Sequence, residues 1–114
     1  MMRMDYRVRL VIETIQRDLA VPSDVQRLAA IAGISGSQLR AMFRCSLGLS
    51  PHRFVKKLRL ERARQRLTSE TASIKEIMAS VGYSDPSHFV RDLERAYGLS
   101  PVRFRRSLFR NPAD

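Results

Sequence analysis

Apolar residues recur along this chain at intervals of three and four, with no sustained alternation of two, so the pattern predicts helices throughout. Val8, Val11, Ile12, Ile15 and Leu19 share one face of a helix over residues 5 to 19, which Pro22 ends. Val25, Leu28, Ala29 and Ala32 mark a short second helix, opened by Ser23 or Asp24 and stopped by Gly33. Ser35, with Gln38 three residues on, reads as a capping box for a third helix. Leu39, Met42, Phe43 and Leu47 point inward from it, and Gly48 stops it. Ser50-Pro51 opens a fourth helix reaching Leu67. A second capping box, Ser73 with Glu76, precedes a fifth helix with Ile74, Ile77, Met78 and Val81, closed by Gly82. Asp85-Pro86 opens a sixth with Phe89, Leu93 and Tyr97 inward and Gly98 at its end. Ser100-Pro101 begins a seventh ending near Phe109, leaving Asn111 to Asp114 as a frayed tail.

The chain also repeats itself. At an offset of 50, residues 37–54 match residues 87–104 at seven of 18 positions, including Gly48-Leu49-Ser50-Pro51 against Gly98-Leu99-Ser100-Pro101. Roughly one match is expected from ordinary composition. Upstream the offset is 49: Val25, Leu28, Ala29, Ala32 and Gly33 fall on Ile74, Ile77, Met78, Val81 and Gly82, so the second turn has gained one residue. Each copy is a short helix, a tight turn starting at Gly, and a second helix, the layout of a helix-turn-helix. In the fourth helix the apolar stripe changes side. Phe54, Val55 and Leu58 share one flank, whereas Leu60, Ala63 and Leu67 share another, roughly opposite on a wheel of about 100° per residue. A helix inside one core keeps one stripe. The expected fold is therefore all-α, with two homeodomain-like three-helix subdomains joined by a linker helix, about seven helices in all. The expected limits are residues 1–51 for the first subdomain, 52–68 for the linker, 69–110 for the second and 111–114 for the tail.

Charge adds the partner. In 114 residues, 21 Lys and Arg face 11 Asp and Glu; Lys56, Lys57 and Lys75 are the only lysines, and the remaining 18 cations are arginine. The planar guanidinium fork suits phosphates and guanine edges, so a polyanionic partner is the leading reading, against a charge that merely confers solubility. The fourth helix sets Arg53, Lys56, Lys57, Arg59, Arg62, Arg64 and Arg66 against Glu61 alone, a solvated basic helix with some residues near DNA phosphates. Catalytic and metal chemistry finds no support. There is no phosphate loop, nucleophile elbow or HExxH, and His52 and His88 stand apart from any ligand spacing. No cofactor is expected. Cys45, a single cysteine, fits a reducing compartment, and both it and His52 read as structural. The longest apolar run, Leu28 to Ile34, has seven residues against the ~20 a membrane span needs. The opening Met1-Met2-Arg3-Met4-Asp5-Tyr6-Arg7 is too charged to lead a signal peptide.

The two Gly-Leu-Ser-Pro stretches, the linker stretch Arg59-Leu60-Glu61-Arg62-Ala63 with Leu67, and Val81-Gly82-Tyr83-Ser84-Asp85-Pro86-Ser87-His88-Phe89 resemble the AraC/XylS family of bacterial transcription regulators, over residues 5 to 108. The resemblance implies sequence-specific binding of double-stranded DNA and transcriptional activation through RNA polymerase, in the bacterial cytoplasm at the nucleoid. The chain is then a stand-alone regulator or the C-terminal part of a longer one. A different class, an adaptor docking an acidic partner such as a polymerase subunit, is the alternative; an enzyme fragment related to DNA-repair methyltransferases is more remote.

The DNA-reading residues follow from the face opposite the core. Met42 and Phe43, three and four residues after Leu39, flank it on the inward side of the third helix. Ser37, Arg40, Ala41 and Arg44, spaced i, i+3, i+4 and i+7, form a stripe on the other side. Arg40 is the candidate for guanine O6 and N7, Ser37 for a base or phosphate, Ala41 for a thymine methyl, and Arg44 for the backbone. Gln38, at the stripe's edge, is placed for adenine or for the cap. In the sixth helix the stripe is Ser87, Val90, Arg91 and Glu94. Ser87, Val90 and Arg91 are expected at bases, and His88, Arg95, Lys56 and Lys57 at phosphates. Glu94 stands where the family is usually basic, and Asp92 where it is usually apolar or small. A carboxylate near the DNA backbone is repelled unless it accepts from cytosine N4, so this departure is expected to weaken insertion of the second unit. One chain, acting as a monomer, is expected to cover an asymmetric element of about 20 base pairs.

Overall fold

A computed structural model describes residues 4–22, 24–69 and 71–108. Its helices are α1 (Tyr6–Arg17), α2 (Val25–Ile31), α3 (Gly36–Leu47), α4 (Pro51–Ser69), α5 (Ile74–Ser80), α6 (Pro86–Tyr97) and α7 (Pro101–Leu108), and no strand occurs among the described residues. The all-α, seven-helix expectation holds. The expectations for Ser23, Phe109 and the tail 111–114 lie outside the described residues.

Local chemistry sets the helix ends. Asp5 caps α1 by accepting from the Arg7 amide at 2.8 Å, and Asp24 caps α2 through the Gln26 amide at 2.9 Å. Beside Arg7, which donates to it from side chain and backbone, the Asp5 carboxyl titrates below its ordinary range. Ser35 and Gln38 form the capping box of α3 in both directions. On α5, the Ser73 hydroxyl accepts from the Glu76 amide. Each such cap answers an otherwise unpaired first-turn N–H and contributes about 1 kcal/mol. The turns after α2 and α5 close alike: the Ile34 amide reaches the Ala29 carbonyl and the Tyr83 amide the Met78 carbonyl, both at 3.0 Å. That six-residue closure passes through a left-handed residue, supplied by Gly33 (φ 70°) and Gly82 (φ 99°). The extra residue of the second copy lies between this glycine and the next cap, Ile34-Ser35 becoming Tyr83-Ser84-Asp85.

The chain forms two compact units, Met1–Leu58 and Arg59–Asp114. The first buries Val8, Val11, Ile15, Leu19, Leu28, Ala29, Leu39, Phe43 and Val55, with Phe54 and Leu58 packed against them. The second buries Leu60, Ala63, Leu67, Ile77, Met78, Val81, Phe89, Leu93 and Phe104. The change of stripe in α4 is thus real: its first half serves one core, its second half the other. Two expectations fail. Cys45 and His52, read as structural, are both exposed. Cys45 lies outside the Leu39–Phe43 stripe of α3, and Pro51 takes the buried place beside His52.

Candidate nucleic-acid interface

The second helix of each unit is fixed from behind by its core. Leu39 and Phe43 anchor α3, and Phe89 and Leu93 anchor α6, all at 1% exposure or less. At the offset of 50 these pairs align with their side chains exchanged, Leu39 with Phe89 and Phe43 with Leu93, so the same two places hold the same pair of residue types. Phe43 meets the Phe54 ring edge-on at 5.7 Å between centroids; Phe89 meets Tyr83 at 5.2 Å. Anchored in this way, each helix turns its opposite face outward.

On α3, Ser37, Arg40, Ala41 and Arg44 are all exposed along that face. Its sequence holds two arginines and no acid, so the face is uniformly positive. Gln38 is also exposed, and its side-chain carbonyl accepts from the Ser35 amide at 3.1 Å, the capping use. On α6, Ser87, Val90, Arg91, Glu94 and Arg95 are exposed, and all five line an open depression along the helix with Pro86. Its two arginines are matched by two acids, Asp92 and Glu94. His88 stays at the N-terminus, with Nδ1 3.8 Å from the Asp85 carboxylate. In α4, Lys57 is exposed and Lys56 half-buried.

Asp92 stands apart from this outward stripe. Its carboxylate does not face outward; it is 6% exposed, on the core side of α6, the only buried charged residue among those described. Tyr83 Oη donates to Asp92 Oδ2 at 2.9 Å, and Arg91 Nε lies 3.5 Å from Oδ1. Burial first, and then the bond to Asp92, raises the Tyr83 phenol well above its usual range, so Tyr83 stays a donor. Burial lowers the nearby Arg59 guanidinium, which the Tyr83 field opposes. The signal was available: Asp92 stands three residues after the anchor Phe89, as the inward Met42 stands three after Leu39. Two further contacts had no sequence signal. Arg64 sits 5.0 Å above the Tyr97 ring, and Arg105 Nε donates to the Leu67 carbonyl at 3.0 Å, answering a terminal carbonyl of α4.

No described helix is long and apolar enough to cross a membrane. The arrangement suits a duplex: a helix with a short polar stripe, fixed from behind and preceded by a tight turn, fits the major groove.

Known proteins carry the same arrangement. A family model described as a helix-turn-helix domain matches residues 28–107. The HTH-type transcriptional regulator MtrA of Neisseria gonorrhoeae is 34% identical over 95 residues, 81% of this chain and 32% of that protein. The chain thus spans about a third of the length of the curated relatives it matches. An AraC-type DNA-binding regulator from Chromobacterium violaceum superposes with a TM-score of 0.83 at 26% identity, covering 90% of this chain and 92% of that one. The DNA-binding domain of AdpA, a global transcriptional factor solved in complex with a target DNA, superposes with a TM-score of 0.83 at 25% identity, covering 89% and 91%.

Proposed function

This chain belongs to the AraC-type helix-turn-helix family of transcriptional regulators, and from that premise we propose that it binds one double-stranded DNA sequence through the outward faces of α3 and α6. The observation that carries the reading is the α3 stripe: Ser37, Arg40, Ala41 and Arg44, exposed at i, i+3, i+4 and i+7 on a helix with no acid. Arg40 presents its fork to guanine O6 and N7, Ala41 accommodates a thymine methyl, Ser37 reaches a base or phosphate, and Arg44 holds the backbone. From α6, Arg91 reads a second guanine, while Ser87 and Val90 meet neighbouring base edges. Arg95, His88, Lys56 and Lys57 supply phosphate contacts, which fix register without reading sequence. One chain engages one asymmetric element as a monomer. Transcription is activated by contact between the bound chain and RNA polymerase.

The test is a competition. A duplex selected from a random library is measured against scrambled duplex of the same length, from about 50 to 200 mM salt. The expected result is a preference of about a thousandfold or more for the selected duplex, with affinity for both falling steeply as salt rises. Equal affinity for selected, scrambled and non-nucleic polyanions contradicts the reading and favours an adaptor that docks an acidic protein.

A further inference from the structure

The two outward faces place their arginine differently. Arg40 aligns with Val90, and Ala41 with Arg91, so the reading cation of α6 stands one residue later, about 100° around the helix. The next position changes too. Met42, half-buried against the apolar cluster of its unit, is replaced by the buried Asp92. In the turn, Ile34 is replaced by Tyr83. Three positions that are apolar in the first unit are all polar in the second, and there they are joined. Tyr83 Oη holds one carboxylate oxygen of Asp92, and the other faces Arg91 Nε.

We propose that Asp92 is a positioning residue for base recognition by α6: oriented by Tyr83, its carboxylate engages the Nε edge of Arg91 and leaves the Nη1 and Nη2 fork directed outward. The proposal rests on Arg91 as a base reader. Arg91 and Asp92 span the boundary between core and surface, their side chains 57% and 7% exposed. A guanidinium has five N–H donors in a fixed plane. Engaging Nε fixes that plane and leaves the terminal pair, which matches the two acceptors of guanine. An arginine already restrained loses less rotamer freedom when it docks. Packing alone does not call for an acid here. Met42 shows that an unbranched apolar side chain fills the aligned place, without the desolvation a buried carboxylate requires.

Asp92→Met, which copies the first unit, tests this beside Tyr83→Phe and Arg91→Ala. Each variant's thermal midpoint is measured, and its base preference is read by competition between duplexes differing at single base pairs. Arg91→Ala identifies the base pair that Arg91 reads. Asp92→Met is expected to unfold cooperatively and to lose about tenfold discrimination at that same base pair, while discrimination at the base pair read by Arg40 is unchanged. Tyr83→Phe is expected to lose less, at the same base pair. Full discrimination in Asp92→Met, or an even weakening on every duplex, overturns the proposal while leaving Arg91 as the reader. No loss at any base pair in Arg91→Ala shows instead that the underlying assignment is wrong. Should Asp92→Met fail to fold, Tyr83→Phe, which keeps the ring and the carboxylate, decides by the same criteria.

Discussion

The first and second units share a scaffold and differ on the surface it presents. Both have a left-handed glycine in the turn, a left-handed glycine after the second helix (Gly48, Gly98), and a buried proline opening the next (Pro51, Pro101). Both fill the two anchor places of the second helix with one Leu and one Phe, in opposite order. Yet α3 is purely basic, whereas α6 carries as many acids as arginines. Ile34, Ala41 and Met42 in one unit become Tyr83, Arg91 and Asp92 in the other. The anchors and the turn glycines repeat, whereas these three positions diverge together and are joined in the second unit, Asp92 meeting both Tyr83 and Arg91. One buried acid is tolerable because two neighbours change with it.

The scaffold's equivalence can be tested most forcefully in the cores. Phe43→Ala and Phe89→Ala should each cost about 3–5 kcal/mol, since each ring is fully enclosed and its loss leaves a cavity. Urea unfolding of both variants checks this. A large cost in one and almost none in the other would break the equivalence, making one helix a passive appendage. The next effect is on reading. Arg40→Ala should cost about 1–3 kcal/mol on the selected duplex and relax preference at one base pair, whereas Arg44→Ala should weaken selected and scrambled duplexes evenly. Titrating both variants on the same two duplexes separates a base contact from a phosphate contact. The smallest effect sharpens the charge contrast. Glu94 is exposed on α6, where an acid is expected to oppose DNA phosphates. Glu94→Lys should therefore tighten scrambled-duplex binding and steepen the salt dependence by about one unit. A collapse on the selected duplex instead would mean that Glu94 accepts from a cytosine N4.

Much of this was legible in the sequence because periodicity and capping are local. Seven helices, the caps at Asp24, Ser35, Ser73 and Asp85, and the stripe change in α4 follow from spacing alone. The outward stripe of α3 was equally plain, because no residue on it competes for the core. The inward place of Asp92 follows from the wheel, where it matches that of Met42, but what binds the carboxylate there does not. Its partner Tyr83 lies nine residues back in the turn, a pairing that only the folded chain brings together. Gln38 has two uses by spacing, base and cap, and the folded chain shows the cap through the Ser35 amide. Arg105 reaching Leu67 spans 38 residues, beyond any local pattern.

Both second helices of one chain are proposed to read bases, α3 through Arg40 and α6 through Arg91. The most direct measurement is selection of bound duplexes from a random library by the unaltered chain, by Arg40→Ala and by Arg91→Ala, followed by sequencing. The expected result is a single non-palindromic motif in which each substitution erases the preference at a different guanine and leaves the other intact. A motif that Arg91→Ala leaves unchanged contradicts it, and would make α3 the sole reader.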